Sequence, residues 1–486
     1  MHSNIKLPED YLTLMGNIIP DHLSMDDFIA CCKTPLKTSV RVNTLKISVE
    51  AFKQLAKTKQ WLLTPIPWCN EGFWLEQENT DTKLGNSWEH IAGLFYIQEA
   101  SSMLPVTALF KEQVSGVTAQ YDTVLDCASA PGSKTSQIAA LCNNNNFIVA
   151  NELSSSRLKV LSANIQRCGI KNIALSHYDA NVFGTWLPEM FDAVLLDAPC
   201  SGEGAIRKDD KAMLNWSLES INDIADIQKE LIESAFKALK PGGTLIYSTC
   251  TLNETENQAV CQYLLDLYPE NAEVIPLNDL FPTANNCLTT EGFLHVWPQI
   301  YDSEGFFVAK FTKKESQGLR PIKKKKRLIF PFSPVSRIEN DAIRDYFRDA
   351  FNFEFESGVF YHRDSEIWLF PKEFPAFIGK FKFDRIGIKI AEKFKKGFRA
   401  QHEWARTFGH HCDKNTVSLD IEQAKQYIMG RDINFTDIEI DNLDALQGEL
   451  VVLLEGSVLG LGKRVNQRLK NNYPRDLVRD NNLFSE

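Results

Sequence analysis

Residues 122–142, DTVLDCASAPGSKTSQIAALC, decide the fold. DTVLD reads as a short strand, Pro131–Gly132 as a tight turn, and SKTSQIAALC as a helix. A strand, a turn and a helix in that order open a parallel α/β sheet, where ligands bind outside the carboxyl ends of the strands. The turn is not a dinucleotide fingerprint, because GxGxxG is absent. It is not a Walker loop either, since Gly132-Ser133-Lys134-Thr135 breaks the required Gly-Lys pair. A Pro-Gly turn lets backbone N–H groups approach a ligand closely, which suits a carboxylate or sulfonium nucleoside better than a pyrophosphate.

The alternation continues outward from this unit. FIVANE, IALSHYD, FDAVLLD and TLIYSTC read as further strands, and SSSRLKVLSANIQRCG and INDIADIQKELIESAFKALK as helices. In the last, Ile224, Ile227, Leu231, Ala235 and Leu239 form a helical stripe that Pro241-Gly242-Gly243 should stop. Asn143 to Asn146 read as a helix-terminating turn. The stretch TEGFLHVWPQIYDSEGFFVAKF predicts two strands closing the sheet as an antiparallel hairpin. The expected fold class is α/β: a Rossmann-like core with a mostly parallel, doubly wound sheet.

Strand ends carry the candidate chemistry. Glu152 ends the second strand, where an acid can accept hydrogen bonds from both ribose hydroxyls. Asp179 follows the third strand, within reach of an adenine edge. Singly, each acid reads equally well as a strand-end or helix-capping residue. Together with the Pro-Gly turn they point to S-adenosylmethionine. Asp197 and Cys200 follow the fourth strand in LLDAPCSGEG, and Cys250 follows the fifth in STCT. In a parallel sheet both thiols emerge at one edge, beside the cofactor. The bland alternative is two buried thiols. The chemistry that needs a thiol is methylation of pyrimidine carbon 5: addition of a thiolate to carbon 6 makes carbon 5 nucleophilic. Asp197 could stabilise the developing charge through the N3/N4 edge of the base. Either thiol could attack on this reading.

Composition bounds the rest. The chain has 486 residues, enough for two to four domains, with 44% hydrophobic and 24% charged residues, as in soluble globular proteins. The start MHSNIKLPEDYLTLMG lacks the order of a signal peptide, and no apolar run is long enough to span a bilayer, so a cytoplasmic, non-membrane protein is expected. Eleven cysteines, with no CxxC pair, argue for reduced thiols and against a metal site. Net charge is −10, but Lys310–Arg327 holds nine basic residues and one acid, Glu315. Lys380–Arg406 holds nine against three, interleaved with Phe381, Phe383, Phe394, Phe398 and Trp404. With GKRVNQRLKNNYPR (462–475), this predicts an RNA-binding face.

DCASAPGSKT, the strand-end Glu152, LLDAPCSGEG and STCT together resemble the motifs of the RNA cytosine-5 methyltransferase family, the NOL/NOP/Sun group. RVNTLK and QEASSM upstream resemble its N-terminal segment, so the likeness runs over roughly residues 35–310. GSVLGLGKRVNQRLKNNYPR resembles the end of a PUA-like RNA-binding domain of the kind found in bacterial small-subunit ribosomal RNA methyltransferases.

The resemblance implies that Cys250 is the nucleophile, that Cys200 assists product release, and that Asp197 reads the base. It implies cofactor contacts from Cys127, Ala128, Ser129, Ala130, Pro131, Gly132, Ser133 and Lys134, and from Glu152, Asp179 and Asp197. Ser133 departs from the pattern, where many relatives have a second glycine. The implied partner is structured RNA, 16S ribosomal RNA of the small subunit in its decoding region. The rivals are the same chemistry on transfer RNA, the 5-methyluridine reaction, a protein or small-molecule methyltransferase, and a non-catalytic RNA-binding assembly factor. The expected domains are an N-terminal RNA-cleft extension (1–115), the methyltransferase core (116–312), a basic linker with a small β-rich domain (313–379), and a PUA-like domain (380–486).

Overall fold

The structure is a computed structural model, and it describes residues 7–78, 83–111, 120–208, 212–214, 216–321, 329–438 and 445–479. The expected boundary at 115/116 and the run Lys323–Arg327 lie outside the described residues.

The central sheet contains β1 (Thr123–Asp126), β2 (Phe147–Asn151), β3 (Ile173–Ser176), β4 (Phe191–Asp197), β5 (Leu239–Thr249), β6 (Ala272–Val274), β7 (Leu294–Val296), β8 (Phe306–Lys313) and β9 (Arg385–Ile386). Its order is β6-β8-β5-β4-β1-β2-β3-β9, with β7 paired to β8. Strands β1 to β5 run parallel. The expected hairpin is present: β8 runs antiparallel to both β7 and β5. Helices α1 (Ser133–Leu141), α2 (Ser155–Cys168) and α3 (Leu218–Ala238) make the crossovers. Every residue of β1, β2 and β3 is buried, as expected of strands covered on both faces. Strand order reverses at β1, between β4 and β2, so a crevice opens at the carboxyl ends of β1 and β4.

Two local expectations differ in detail. The buried face of α3 follows Ile221, Ala225, Gln228, Leu231, Ile232 and Ala235, and Ile227 is 50% exposed. Isoleucines on two adjacent faces made the stripe ambiguous, and a polar residue, Gln228, takes the buried place because it bonds Pro199 O. The helix also ends at Ala238, and Leu239 is already extended and paired with Phe191. Pro241 disfavours helical geometry in the residue before it, so the chain leaves the helix early. The asparagine run behaves as expected: Asn143 and Asn144 have φ of 51° and 57°, and Asn144 Nδ2 donates to Gly169 O.

The N-terminal segment forms a four-stranded sheet, with Trp61–Ile66, Cys69–Gln77, Ser39–Val42 and Phe95–Ile97 in that order. Arg41 docks it on the core: Nε donates to Gln98 Oε1 at 2.9 Å and Nη2 to Ser136 Oγ on α1 at 2.7 Å. The segments quoted as RVNTLK and QEASSM thus meet behind the Pro-Gly turn.

Beyond the core, one five-stranded sheet spans Ser333 to Ala400 and another spans Thr416 to Asn471. The boundary expected at 380 falls inside the first of these, because Glu366–Phe370 pairs with Ile388–Phe394. β9, from the same region, pairs with β3 and covers the edge of the central sheet. The aromatic-basic cluster expected over Lys380–Arg406 is partly taken up by packing and ion pairs. Trp404 and Phe381 are buried, and Arg385, Lys389, Lys393 and Arg399 pair with Glu403, Glu366, Glu339 and Glu392. Phe398 and Trp404 pack in one core and Phe381 and Phe383 in another, while Lys380, Lys382, Lys395 and Lys396 stay exposed.

One side chain ties three regions together. Arg406 is buried and donates to Ile91 O of the N-terminal segment, Arg167 O of α2, and Val458 O and Leu459 O of the last sheet.

Candidate active site

The turn after β1 is held from several sides. Ser129 N donates to Asn151 O and Gly132 N to Ser129 O, at 2.8 and 2.7 Å. Gly132 has φ +106°, and a Cβ there would meet Leu161 Cδ1 at 2.9 Å, so only glycine fits. Asp126 is buried, which pushes its carboxyl up to about 6; Thr135 Oγ1 donates to one oxygen at 2.6 Å, and the other, Oδ1, has no partner.

Glu152 is buried at the end of β2, with Oε2 accepting from Ala130 N at 3.3 Å and lying 3.4 Å from Arg157. Asp179 is exposed and caps a short turn through Asn181 N. Ala128, Pro131 and Ser133 follow the same turn. Cys127 is different: its side chain belongs to the core packing under the sheet, so only its backbone faces the turn. Burial pushes its thiol well above the usual range.

Lys134 leaves this cradle and reaches Asp197. Nζ lies 2.7 Å from Asp197 Oδ2 and 5.5 Å from the centre of the Phe306 ring. Burial alone would lower its pKa, but contact with Asp197 outweighs that and raises it. Ser248 Oγ donates to the other oxygen, Oδ1, at 2.7 Å. Asp197 is thereby fixed in orientation.

The two thiols converge. Cys200 Sγ lies 3.3 Å from Cys250 Sγ, although the residues are 50 apart in the chain. The hydrogen bond to Cys250 and then burial push the Cys200 thiol well above its usual range, so it stays protonated at neutral pH. Either sulfur can donate across this contact, and a protonated Cys200 can give its proton to a Cys250 thiolate.

A buried polar network fixes both loops. Glu203 Oε1 accepts from Leu252 N, Asn253 N and Asn253 Nδ2, and Oε2 accepts from Trp216 Nε1. Glu256 Oε2 accepts from Ser201 N and Gln228 Nε2, each at 2.9 Å. The sequence reading missed this network, and its one signal was two acids, in SGEG and LNETEN, next to apolar strands.

Backbones also meet here without intervening side chains. Gly204 N donates to Cys250 O and Gly305 N to Gly204 O, each at 3.0 Å. A Cβ on Gly204 would stand 2.3 Å from Gly305 O and 2.9 Å from Cys250 O. Gly204→Ala is therefore expected to displace Cys250 and to cut turnover by about 100-fold, since a 1 Å misplacement costs that much. Overpacking should cost about 1–3 kcal/mol as well. Turnover assays beside a thermal melt check this, and unchanged turnover would refute it.

Among the described residues no group of three His, Cys, Asp or Glu could hold a metal ion. No helix of the described residues is long and apolar enough to cross a membrane.

A parallel sheet ending in an antiparallel β8, a Pro-Gly turn after β1 and acids ending β1, β2 and β4 define a Rossmann-like methyltransferase, here with two thiols at the ligand edge. Family comparisons agree over nearly the whole chain. Residues 118–312 match 16S rRNA methyltransferase RsmB/F, and 7–100 match the N-terminal domain of 16S rRNA methyltransferase RsmF. Residues 332–407 match the pre-PUA domain of ribosomal RNA small subunit methyltransferase F, and 414–479 the methyltransferase RsmF PUA domain. The chain belongs to the 16S rRNA methyltransferase RsmB/F family, with its closest resemblance to the F group.

It is 54% identical to a ribosomal RNA small subunit methyltransferase F of Aeromonas hydrophila over 485 residues, covering 100% of both chains. It is 52% identical to that of Vibrio campbellii, again over 100% of each. A methyltransferase homologue from Pyrococcus horikoshii superposes with TM-score 0.51 at 32% identity, covering 64% of this chain and 100% of that one. NSun6 from the same organism shares the fold, with TM-score 0.54 at 21% identity over 64% and 99% of the chains.

Proposed function

We propose that this protein transfers a methyl group from S-adenosylmethionine to carbon 5 of a cytosine in 16S ribosomal RNA, in the decoding region, through attack by Cys250 on carbon 6. The single observation that carries the reading is the 3.3 Å pair of thiols beside the Asp197–Lys134 pair. A non-catalytic RNA scaffold needs neither.

The cradle fits the cofactor. Gly132, at φ +106° and packed against Leu161, lets the turn close tightly, Glu152 presents a buried carboxylate at the end of β2, and Asp179 stands open at the next strand end. These residues would hold the nucleoside, with the backbone of the Cys127–Ser133 turn around its amino acid portion. Arg157, whose side chain is 58% exposed, can release Glu152 to the ribose hydroxyls. When bound, the sulfonium supplies an electrophilic methyl group.

The protein's own residues do the remainder. The Cys250 sulfur forms a bond to carbon 6, and the electron pair of the C5=C6 bond becomes available at carbon 5. Lys134 and Ser248 hold the Asp197 carboxylate in place to bind the N3/N4 edge of the base. After methyl transfer the carbon 5 proton leaves, the double bond returns, and the C6–S bond breaks with Cys200 protonating the departing sulfur. A base in structured RNA must be extruded to reach this edge. The C-terminal PUA-type domain supplies RNA affinity, and the setting is the cytoplasm.

The test is methyl-labelled cofactor with 16S RNA transcript and with small-subunit particles, followed by bisulfite mapping. Label in 5-methylcytosine at one position is expected. Label in uridine, in protein, or only in transfer RNA would overturn the assignment.

A further inference from the structure

We propose that Glu304, held against Glu99, is the base that removes the carbon 5 proton once the methyl group has been transferred. This rests on the cytosine reading above and adds the residue that reading lacks. At that stage carbon 5 carries both hydrogen and methyl, and carbon 6 carries the Cys250 sulfur. The C5–H bond breaks, its proton goes to the Glu304 carboxylate, and its electron pair forms the C5=C6 double bond. The C6–S pair returns to sulfur, which takes the Cys200 proton. Glu304 then gives its proton to water, the Cys200 thiolate takes back from solvent the proton that the Cys250 thiol gave up on attack, and the net product is one proton released per methyl transferred.

Other groups at the edge are committed elsewhere. Both Asp197 oxygens are engaged, by Lys134 and Ser248. Cys200 is held as a protonated thiol, Lys134 is an ammonium, and Cys250 is bonded to the base. Glu304 stands apart: its side chain is only 6% exposed, its Oε1 accepts no hydrogen bond, and its one ion-pair contact there is the loose 3.9 Å approach of Lys208 Nζ, whose own side chain is 65% exposed. A buried carboxylate held this loosely is costly, and such groups mark working sites.

The chain path brings Glu304 to the reaction. The next residue, Gly305, bonds Gly204 O, and Gly204 bonds Cys250 O. Two residues on, Phe306 lies against Lys134. Glu99 is anchored by Ser101 Oγ and Ser102 N on Oε2, while its Oε1 accepts from Glu304 N at 3.1 Å. Burial, and then the Glu99 charge, push the Glu304 carboxyl up to about 8, against the pull of Lys208, Lys134 and Arg207. A base with affinity near the working pH transfers protons efficiently. QEASSM and DSEGFF, 205 residues apart, thus meet where the Glu304 backbone N–H donates to the Glu99 carboxylate.

The experiment uses the full chain, unlabelled cofactor or methyl-labelled cofactor, and 16S transcript tritiated at cytosine carbon 5. Glu304→Gln should cut tritium release about 100-fold while a methyl-bearing protein–RNA adduct accumulates. Glu304→Asp should recover part of the release. Glu99→Gln should retain release but move the rise of its rate with pH to lower pH, because the charge holding the proton on Glu304 is gone. Tritium release at the wild-type rate in Glu304→Gln overturns the proposal, as does loss of adduct formation and methyl transfer together. If Glu304→Gln fails to fold, the Glu99→Gln profile decides, and an unmoved profile overturns it. A wild-type protein that methylates RNA but releases no tritium overturns the carbon 5 reading itself, a different failure.

Discussion

Cys250→Ala is expected to abolish methyl transfer to RNA, by on the order of 10⁴-fold or more, the loss typical of a removed covalent nucleophile. Carbon 5 of cytosine attacks a methyl sulfonium only after carbon 6 has been saturated, so without the sulfur no partial route remains. The fold should survive: Cys250 is half-buried, and its loop is held by its backbone bond to Gly204 and by the Glu203 and Glu256 carboxylates rather than by the thiol. Cofactor binding should be largely retained, since the turn, Glu152 and Asp179 are held by bonds that do not involve the Cys250 thiol. Methyl transfer and cofactor affinity measured side by side check both halves. Appreciable transfer by Cys250→Ala would end the nucleophile assignment, and Cys200, 3.3 Å away, would be the first group to re-examine.

Cys200→Ala should fail at the opposite end of the reaction. Attack and methylation proceed once, because Cys250 is intact. Release is slowed, because the departing sulfur has lost the protonated thiol directed at it. Loss of a positioned proton donor costs about 10²–10⁴-fold. The expected result is one methyl transferred per protein and a covalent protein–RNA band on a denaturing gel, absent from the double variant Cys200→Ala, Cys250→Ala. Full turnover without an adduct would show that solvent protonates the sulfur unaided.

Much of the scaffold could be read from local pattern. Apolar runs ending in Asp126, Glu152, Asp197 and Cys250 are strands whose ends share one edge, so both thiols could be placed together before any geometry was seen. Contacts between distant loops could not. Lys134 and Asp197 are 63 residues apart, and nothing in APGSKT distinguishes a lysine that binds cofactor from one that steadies an acid. Glu203, Glu256 and Glu304 are hydrophilic letters in loops, and only the fold shows them buried. The same limit applies over Lys380–Arg406. Basic and aromatic residues alternating along a strand pair describe an RNA platform and a packed sheet with an ion-paired outer face equally well, and only the fold shows that Lys389, Lys393 and Arg399 meet Glu366, Glu339 and Glu392 while Lys380, Lys382, Lys395 and Lys396 stay exposed.

The Arg406 clamp has a consequence for dissecting the molecule. A guanidinium bonded to carbonyls from three regions is a keystone that pairs with no carboxylate among the described residues. Removing residues 414–479 to test their grip on RNA would take away the Val458 and Leu459 carbonyls, uncover Arg406, and strip apolar cover from Val40, Phe52 and Phe73 of the N-terminal segment. The shortened protein would lose stability in regions far from the cut. Surface charge reversals on Lys463, Arg468 or Lys470 leave the keystone seated, and they are the way to separate anchoring from architecture.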